Sequence, residues 1–231
     1  MKIVIIGAME QEITLLKAKI DNFEAQEIAH LTVFTGNIGH NWVCLVQCGI
    51  GKVASAAATA LLIQAFTPDA VINTGSAGGF DPELSIGDVV IATRLLHHDV
   101  DVTHFGYVLG QVPQMPEFYE SDANLVVLAQ KAIANLPDIK VKAGLVCSGD
   151  SFVGSDNAAN KIKTNFPSMV AVEMEGAAIA QVCYLMKTPF VVIRSLSDIA
   201  GKTSTVSFET YLETAAKNSA RLVLDIVNKC S

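Results

Sequence analysis

What the chain is short of narrows its class before any motif is read. Tryptophan occurs once, and aromatic residues make up only 6% of the 231 positions. Charged residues are 17% against 51% hydrophobic, a balance that excludes an intrinsically disordered chain and leaves enough apolar surface for one sizeable core. Positive charge is the scarcer sign: 16 Lys and Arg face 23 Asp and Glu, for a net charge of −7. With no basic run or stripe, nucleic acid is not expected as a partner. The five cysteines, Cys44, Cys48, Cys147, Cys183 and Cys230, show no paired metal spacing. Four lie in apolar surroundings and read as small buried hydrophobes, and an odd number without a secretory leader fits a reducing, cytoplasmic setting. The opening run KIVIIGAM is interrupted at Glu10 and Glu12, too soon for a signal core or a membrane span. No internal repeat, low-complexity tract or Pro/Ser-rich linker divides the chain, so residues 1–231 are expected to form a single domain.

What is there alternates between two periods. KIVIIGAM reads as a strand into a Gly turn, and QEITLLKAKI has apolar residues at helical spacing. LTVFTGNIGHNWVCLVQCGIG reads as two strands around a turn. KVASAAATALLIQAF is a helix of small residues, and DAVINTGSAGG a strand ending in glycines. GDVVIATRLLHHDVDV contains a strand, ANLVVLAQKAIANL a helix, VKAGLVCSGDSFV a strand into a polar turn. MVAVEMEGAAIAQVC passes from strand to helix, TPFVVIRSLSDIAG is a last core strand, and SFETYLETAAKNSARLVLDIVNKC a terminal helix. Alternating strands and helices predict a three-layer α/β/α sandwich around a central mixed sheet. The irregular stretch from His97 to Tyr119 is expected to be a functional or interface loop.

In open α/β sheets, ligands gather beyond the carboxyl ends of strands. Those positions here are Glu10 and Glu12, Gly49 to Gly51, Ser76 to Gly79, Ser148 to Phe152, Glu173 to Glu175, and Arg194 to Asp198. They supply acids, hydroxyls, glycines, one Arg and one Phe, with no His and no evident thiol nucleophile. That inventory suits moving protons and holding hydroxyl groups. GIGK at Gly49–Lys52 lacks the spacing of a P-loop, and GSAGG misses the dinucleotide fingerprint, so neither implies a nucleotide cofactor. HHDVDVTH, from His97 to His104, could set His98 and His104 on one face, but no fixed metal-ligand pattern appears. No metal or cofactor is expected. Arg194 on an apolar strand needs a carboxylate, with Glu173 or Glu175 as candidates.

The ordered set IIGAMEQE, INTGSAGG, FGY, SGDSF, AVEMEGAAIA and RSLSDIAG resembles the bacterial 5′-methylthioadenosine/S-adenosylhomocysteine nucleosidases, members of the purine nucleoside phosphorylase superfamily, over essentially the whole chain. The resemblance implies a nucleoside phosphorylase-like fold. The implied reaction is hydrolysis of the adenine–ribose bond of 5′-methylthioadenosine and S-adenosylhomocysteine, with 5′-deoxyadenosine a further expected substrate. It implies Asp198 as the acid that protonates adenine N7, with Ser197 positioning it, and Glu12 as the base that activates water. Ser76 and Arg194 match groups around that water and the ribose, Glu175 matches the acceptor of the ribose hydroxyls, and Met174 packs on the sugar. Glu173 is expected to act behind them as a partner for Arg194. Phe152 would stack on the base, Val153 would offer its backbone to the base edge, and Gly78 would flank the site. Met9, Ile50 and Phe208 would line an apolar slot for the 5′ group. Val102, Phe105 and Pro113 match residues supplied by a neighbouring subunit, so a homodimer is implied.

Three other readings stay open at this point. A phosphorylase of the same fold would need several charge-assisted donors for phosphate, but the chain has only Arg94, Arg194 and Arg221, with Lys52 a possible addition. A non-catalytic nucleoside sensor would not need both Glu12 and Asp198. A futalosine-type hydrolase would differ only in its 5′ group.

Overall fold

The computed structural model describes residues 1–133, 138–201 and 204–230. Ten strands and six helices follow one another as β1 (Lys2–Gly7), α1 (Glu10–Lys17), β2 (Asp21–Ile28), β3 (Leu31–Ile38), β4 (Asn41–Gln47), α2 (Lys52–Phe66), β5 (Ala70–Gly79), β6 (Val89–His97), β7 (Tyr119–Glu120), α3 (Ala123–Ala132), β8 (Val141–Ser148), α4 (Asp156–Asn165), β9 (Met169–Glu173), α5 (Gly176–Met186), β10 (Phe190–Ile199) and α6 (Ser204–Lys229). All strands belong to one sheet ordered β10-β6-β8-β9-β5-β1-β4-β3-β2, with β7 paired to β6.

The period of two along each strand sends alternate side chains into two cores. Ile3 and Ile5 of β1 join Val43, Leu45, Ile72 and Ile193 under α1, α3 and α6. Val4 and Ile6 join Cys44, Val46, Val71 and Val192 under α2 and α5. This is the expected three-layer arrangement. The central strands are apolar on both faces because helices cover both. A third cluster, around Leu145, Cys147, Phe166 and Met169, seats α4 near the end of the sheet.

The sheet does more than lie flat between helices. β10 pairs in parallel with β5 over Phe190–Ile199 and antiparallel with β6. With β6–β8, β8–β9 and β9–β5 also paired, five strands close into a ring. β9 meets only the last two residues of β5, Gly78↔Val172 and Gly79↔Ala171, running antiparallel. That register carries Glu173–Glu175 back toward Ser76, so carboxyl ends of opposed strands converge.

Three elements had no reading in the sequence: β2, α4 and the two-residue β7. β2 is exposed along nearly its whole length, so it has no apolar alternation to reveal it. α4 buries only Ala159. The predicted helix 123–136 is seen as α3 to Ala132; Ala134, Asn135 and Leu136 lie outside the described residues. The alternation proposed for His98 and His104 does not exist, because β6 ends at His97 and Thr103–Phe105 form a single 3-10 turn. His98 is pushed against Gly149, whereas His104 is exposed with its ring edge-on to Phe105.

Candidate active site

A cavity of about 340 Å³ opens where these strand ends converge. Glu12, Ser76, Gly78, Glu173, Met174, Glu175, Ser197 and Asp198 line its polar side and floor. Met9, Ile50, Phe152 and Phe208 form apolar walls, with the Phe152 and Phe208 rings tilted edge to face at 5.7 Å. Val153 lines a small recess that continues past Phe152, Gly78 and Asp198. Residues from Met9 to Phe208 therefore meet in one space. Val102, Phe105 and Pro113 do not join them: they sit on the irregular segment, with Phe105 77% exposed.

Glu12 owes its position to α1. It is the third residue of the helix, and its carboxylate turns back over the helix start, where the backbone dipoles favour negative charge. Oε2 accepts from the N–H groups of Ala8 (2.8 Å) and Met9 (3.1 Å). Oε1 accepts from the N–H (2.9 Å) and Oγ (3.1 Å) of Ser76 at the end of β5. Only 3% exposed, this acid is held as an acceptor by four donors.

The two acids flanking Met174 live in opposite environments. Glu173 accepts from Arg194 Nη2 (2.5 Å), from the N–H groups of Glu175 (3.0 Å) and Gly176 (2.7 Å), and from Ser148 Oγ in a very short hydrogen bond. Burial opposes its charge, but the guanidinium and these donors prevail and hold its pKa below the ordinary range. Glu175 has one hydrogen-bond donor among the described residues, the Gly51 N–H at 2.8 Å, and lies 3.7 Å from Arg194. Burial, and then the charge of Glu173, push its pKa up to about 8. Two neighbours in sequence thus become a permanent anion facing the protein and a titrating carboxyl facing the cavity.

Arg194 lies behind the cavity wall, 1% exposed. Its Nη2 is shared by Glu173 and by Asn73 Oδ1 at 2.6 Å, while Nε and Nη1 are buried without a hydrogen-bond partner among the described residues. A Cβ on Gly75 would lie 2.6 Å from Nη1 and 2.9 Å from Glu12 Oε1, so the missing side chain is what lets the arginine and this acid approach one another. Asp198 follows a register shift in β10, accepts from Ser197 Oγ at 2.9 Å, and is 3% exposed. Asn73 was not singled out from the sequence, and Ser148 was reached only as the first residue of the Ser148–Phe152 strand end, with no partner assigned to it. The only available signal was a polar residue inside an apolar strand.

The raised pKa of Glu175 has a consequence for stability. A carboxyl whose folded-state pKa exceeds its unfolded value stabilises the fold at low pH, and that contribution is lost as pH rises from the ordinary carboxylate range through about 8. Glu175→Gln is expected to become more stable than the unmodified chain by on the order of 3 kcal/mol between pH 5 and pH 9. Denaturant midpoints at fixed protein concentration would measure it. Parallel pH curves for the two proteins would show that Glu175 does not titrate in this way.

The phosphorylase superfamily model matches residues 2–228. A 5′-methylthioadenosine/S-adenosylhomocysteine nucleosidase from Pseudoalteromonas translucida is 54% identical over 99% of this chain and 97% of its own. The adenine complex of the corresponding nucleosidase from Colwellia psychrerythraea superposes with a TM-score of 0.97 at 52% identity, over 98% of this chain and 94% of that one. Futalosine hydrolase from Helicobacter pylori superposes with a TM-score of 0.93 at 35% identity, over 99% and 98% of the two chains.

Proposed function

The chain belongs to the phosphorylase superfamily and, within it, to the 5′-methylthioadenosine/S-adenosylhomocysteine nucleosidases, and from that premise we propose how its residues cut the bond between adenine and ribose. The enzyme is an N-glycosyl hydrolase that converts 5′-methylthioadenosine and S-adenosylhomocysteine to adenine and the 5-substituted ribose, feeding salvage of both halves. Asp198 donates the proton that lets adenine depart, with Ser197 fixing its orientation. The sugar left behind is cation-like, and the carboxyl of Glu175 accepts from its 2′ and 3′ hydroxyls; the developing cation favours the ionised form of that carboxyl. Glu12 draws a proton from the attacking water, and Ser76 and the unpartnered edge of Arg194 hold that water in place. Phe152 stacks on the base, the Val153 backbone meets its edge, Gly78 leaves room beside Asp198, and Met174 packs on the sugar. Met9, Ile50 and Phe208 receive the 5′ group.

The observation that carries hydrolysis over phosphorolysis is the fate of the cations. Arg194 is engaged by Glu173 and Asn73. Lys52 pairs with Asp99 at 2.6 Å. Arg94 lies over the Phe118 ring, and Arg221 borders a groove with Lys19 and Leu224, away from the cavity residues. No cation lines the cavity among the described residues, while Glu12 does. A carboxylate in that place repels phosphate and polarises water. The apolar 5′ wall favours a thioether, although the likeness to futalosine hydrolase makes that nucleoside the comparison substrate of choice.

The continuous sheet supports one nucleosidase domain. Homodimerisation is supported by the exposed apolar side chains Val53 (81%), Phe105 (77%) and Leu185 (57%). Val102, Phe105 and Pro113 then reach the partner's cavity. Five buried, unpaired cysteines support a cytoplasmic location. The deciding experiment measures adenine release from 5′-methylthioadenosine with and without phosphate and identifies the sugar. Phosphate-independent release of free methylthioribose is expected; strict phosphate dependence with a sugar 1-phosphate would make the chain a phosphorylase.

A further inference from the structure

Two motifs left without a role, the lysine of GIGK and the acid of HHDVDV, meet in space. Lys52 Nζ donates to Asp99 Oδ1 at 2.6 Å. The other oxygen, Asp99 Oδ2, accepts from the Asp150 N–H at 3.0 Å. Asp150 Oδ1 in turn accepts from the Lys52 N–H at 2.7 Å. The three residues form a closed clasp that ties together the segments following β4, β6 and β8. Local charge agrees: Asp99 keeps a lowered pKa, because the bonds from Lys52 and Asp150 outweigh the burial that acts against its charge.

The clasp bears on the cavity through Gly51, whose two flanking peptide units face opposite ways. Successive N–H groups diverge there, that of Lys52 toward Asp150 and that of Gly51 toward Glu175 Oε1. Gly51 sits at φ 95°, a left-handed backbone that favours glycine, and a Cβ would come 2.9 Å from Asp150 Oδ1. Gly51 is therefore pinned through both of its peptide units. Ile50 and Phe152, which flank the clasped residues in sequence, are both cavity walls.

We propose that Asp99 is a positioning residue for ribose recognition: through Lys52 and Asp150 it aims the Gly51 N–H at Glu175 and so orients the carboxyl that receives the sugar hydroxyls. This rests on the function proposed above. A half-exposed ion pair with no such role would contribute little to folding and nothing selective to binding.

The test is a double-mutant cycle read by calorimetry, with two probes: adenine, and 7-deaza-5′-methylthioadenosine, which has no N7 to protonate. Asp99→Ala is expected to weaken the nucleoside about tenfold while leaving adenine affinity within twofold, with Asp99→Asn intermediate. In a Glu175→Ala background the same substitution should cost the nucleoside less than twofold, because the acceptor it orients is gone. Equal losses in both backgrounds, or equal losses for base and nucleoside, would overturn the proposal. Lys52→Met opens the same clasp from the other side and replaces Asp99→Ala if that variant fails to fold. Adenine release by the unmodified enzyme is assayed in the same preparation. A wild type that neither binds the nucleoside nor releases adenine defeats the functional reading, whereas an active wild type with no coupling defeats only the role of Asp99.

Discussion

Asp198→Asn is expected to lower kcat by about 10³-fold while adenine still binds, the loss typical of a missing general acid. The substitution changes almost nothing but the proton. Asn keeps the size of the side chain and an oxygen for Ser197 Oγ, which donates to Asp198 at 2.9 Å. Gly78 acts on the other oxygen: a Cβ there would stand 3.3 Å from Asp198 Oδ2, a tight approach that the glycine avoids. An amide can hydrogen-bond to a base nitrogen but cannot release a proton to it. Adenine must then depart as an anion, and the barrier rises accordingly. Steady-state turnover together with calorimetric adenine binding separates the two effects. Wild-type turnover in the variant would remove Asp198 from the acid role, and loss of adenine binding in step with kcat would make it a binding group instead.

Glu12→Gln should also cost about 10²–10³ in kcat, but with a second signature. Glu12 accepts four hydrogen bonds, three of them from backbone N–H groups. A carboxylate can accept all four. An amide presents an NH2 to at least one buried backbone donor, whichever way it is turned. The orphaned donors should lower stability by about 1–3 kcal/mol. A base that only handled protons would show the kinetic loss without the stability loss. Denaturation midpoints alongside turnover would reveal both; unchanged kinetics with lowered stability would reduce Glu12 to a cap of α1.

Much of this site could be read from the chain because its acids follow apolar runs. Glu12, Glu175 and Asp198 each stand just past, or at the end of, a strand that the residue pattern announces, and the fold brings all three to one cavity. The contrast between Glu173 and Glu175 was harder to see. Their spacing of two places them at one strand end, but their opposite charge preferences come from Ser148, Arg194 and Gly51, 25, 21 and 124 residues away from the acid each one meets. Asn73, 121 residues from its partner Arg194, was invisible for the same reason. So was the ring of five strands, which depends on β10 reaching both β5 and β6. Local pattern predicts where a strand ends, while pairing across the chain decides what its end faces.

That dependence on β10 sets an order of events during synthesis. The strand begins at residue 190 of 231 and fills the place between β5 and β6, so the ring has no closure until it arrives. Arg194, Ser197 and Asp198 arrive on it. A chain leaving the ribosome at roughly 5–20 residues per second carries Glu12 almost from the start, yet spends most of its synthesis before Glu175 and then Asp198 are made. On the roles proposed above, the catalytic apparatus is completed only in the last fifth of translation, so a prematurely terminated product is expected to be inert toward adenine nucleosides and to display unpaired edges of β5 and β6, the kind of surface that chaperones and proteases engage.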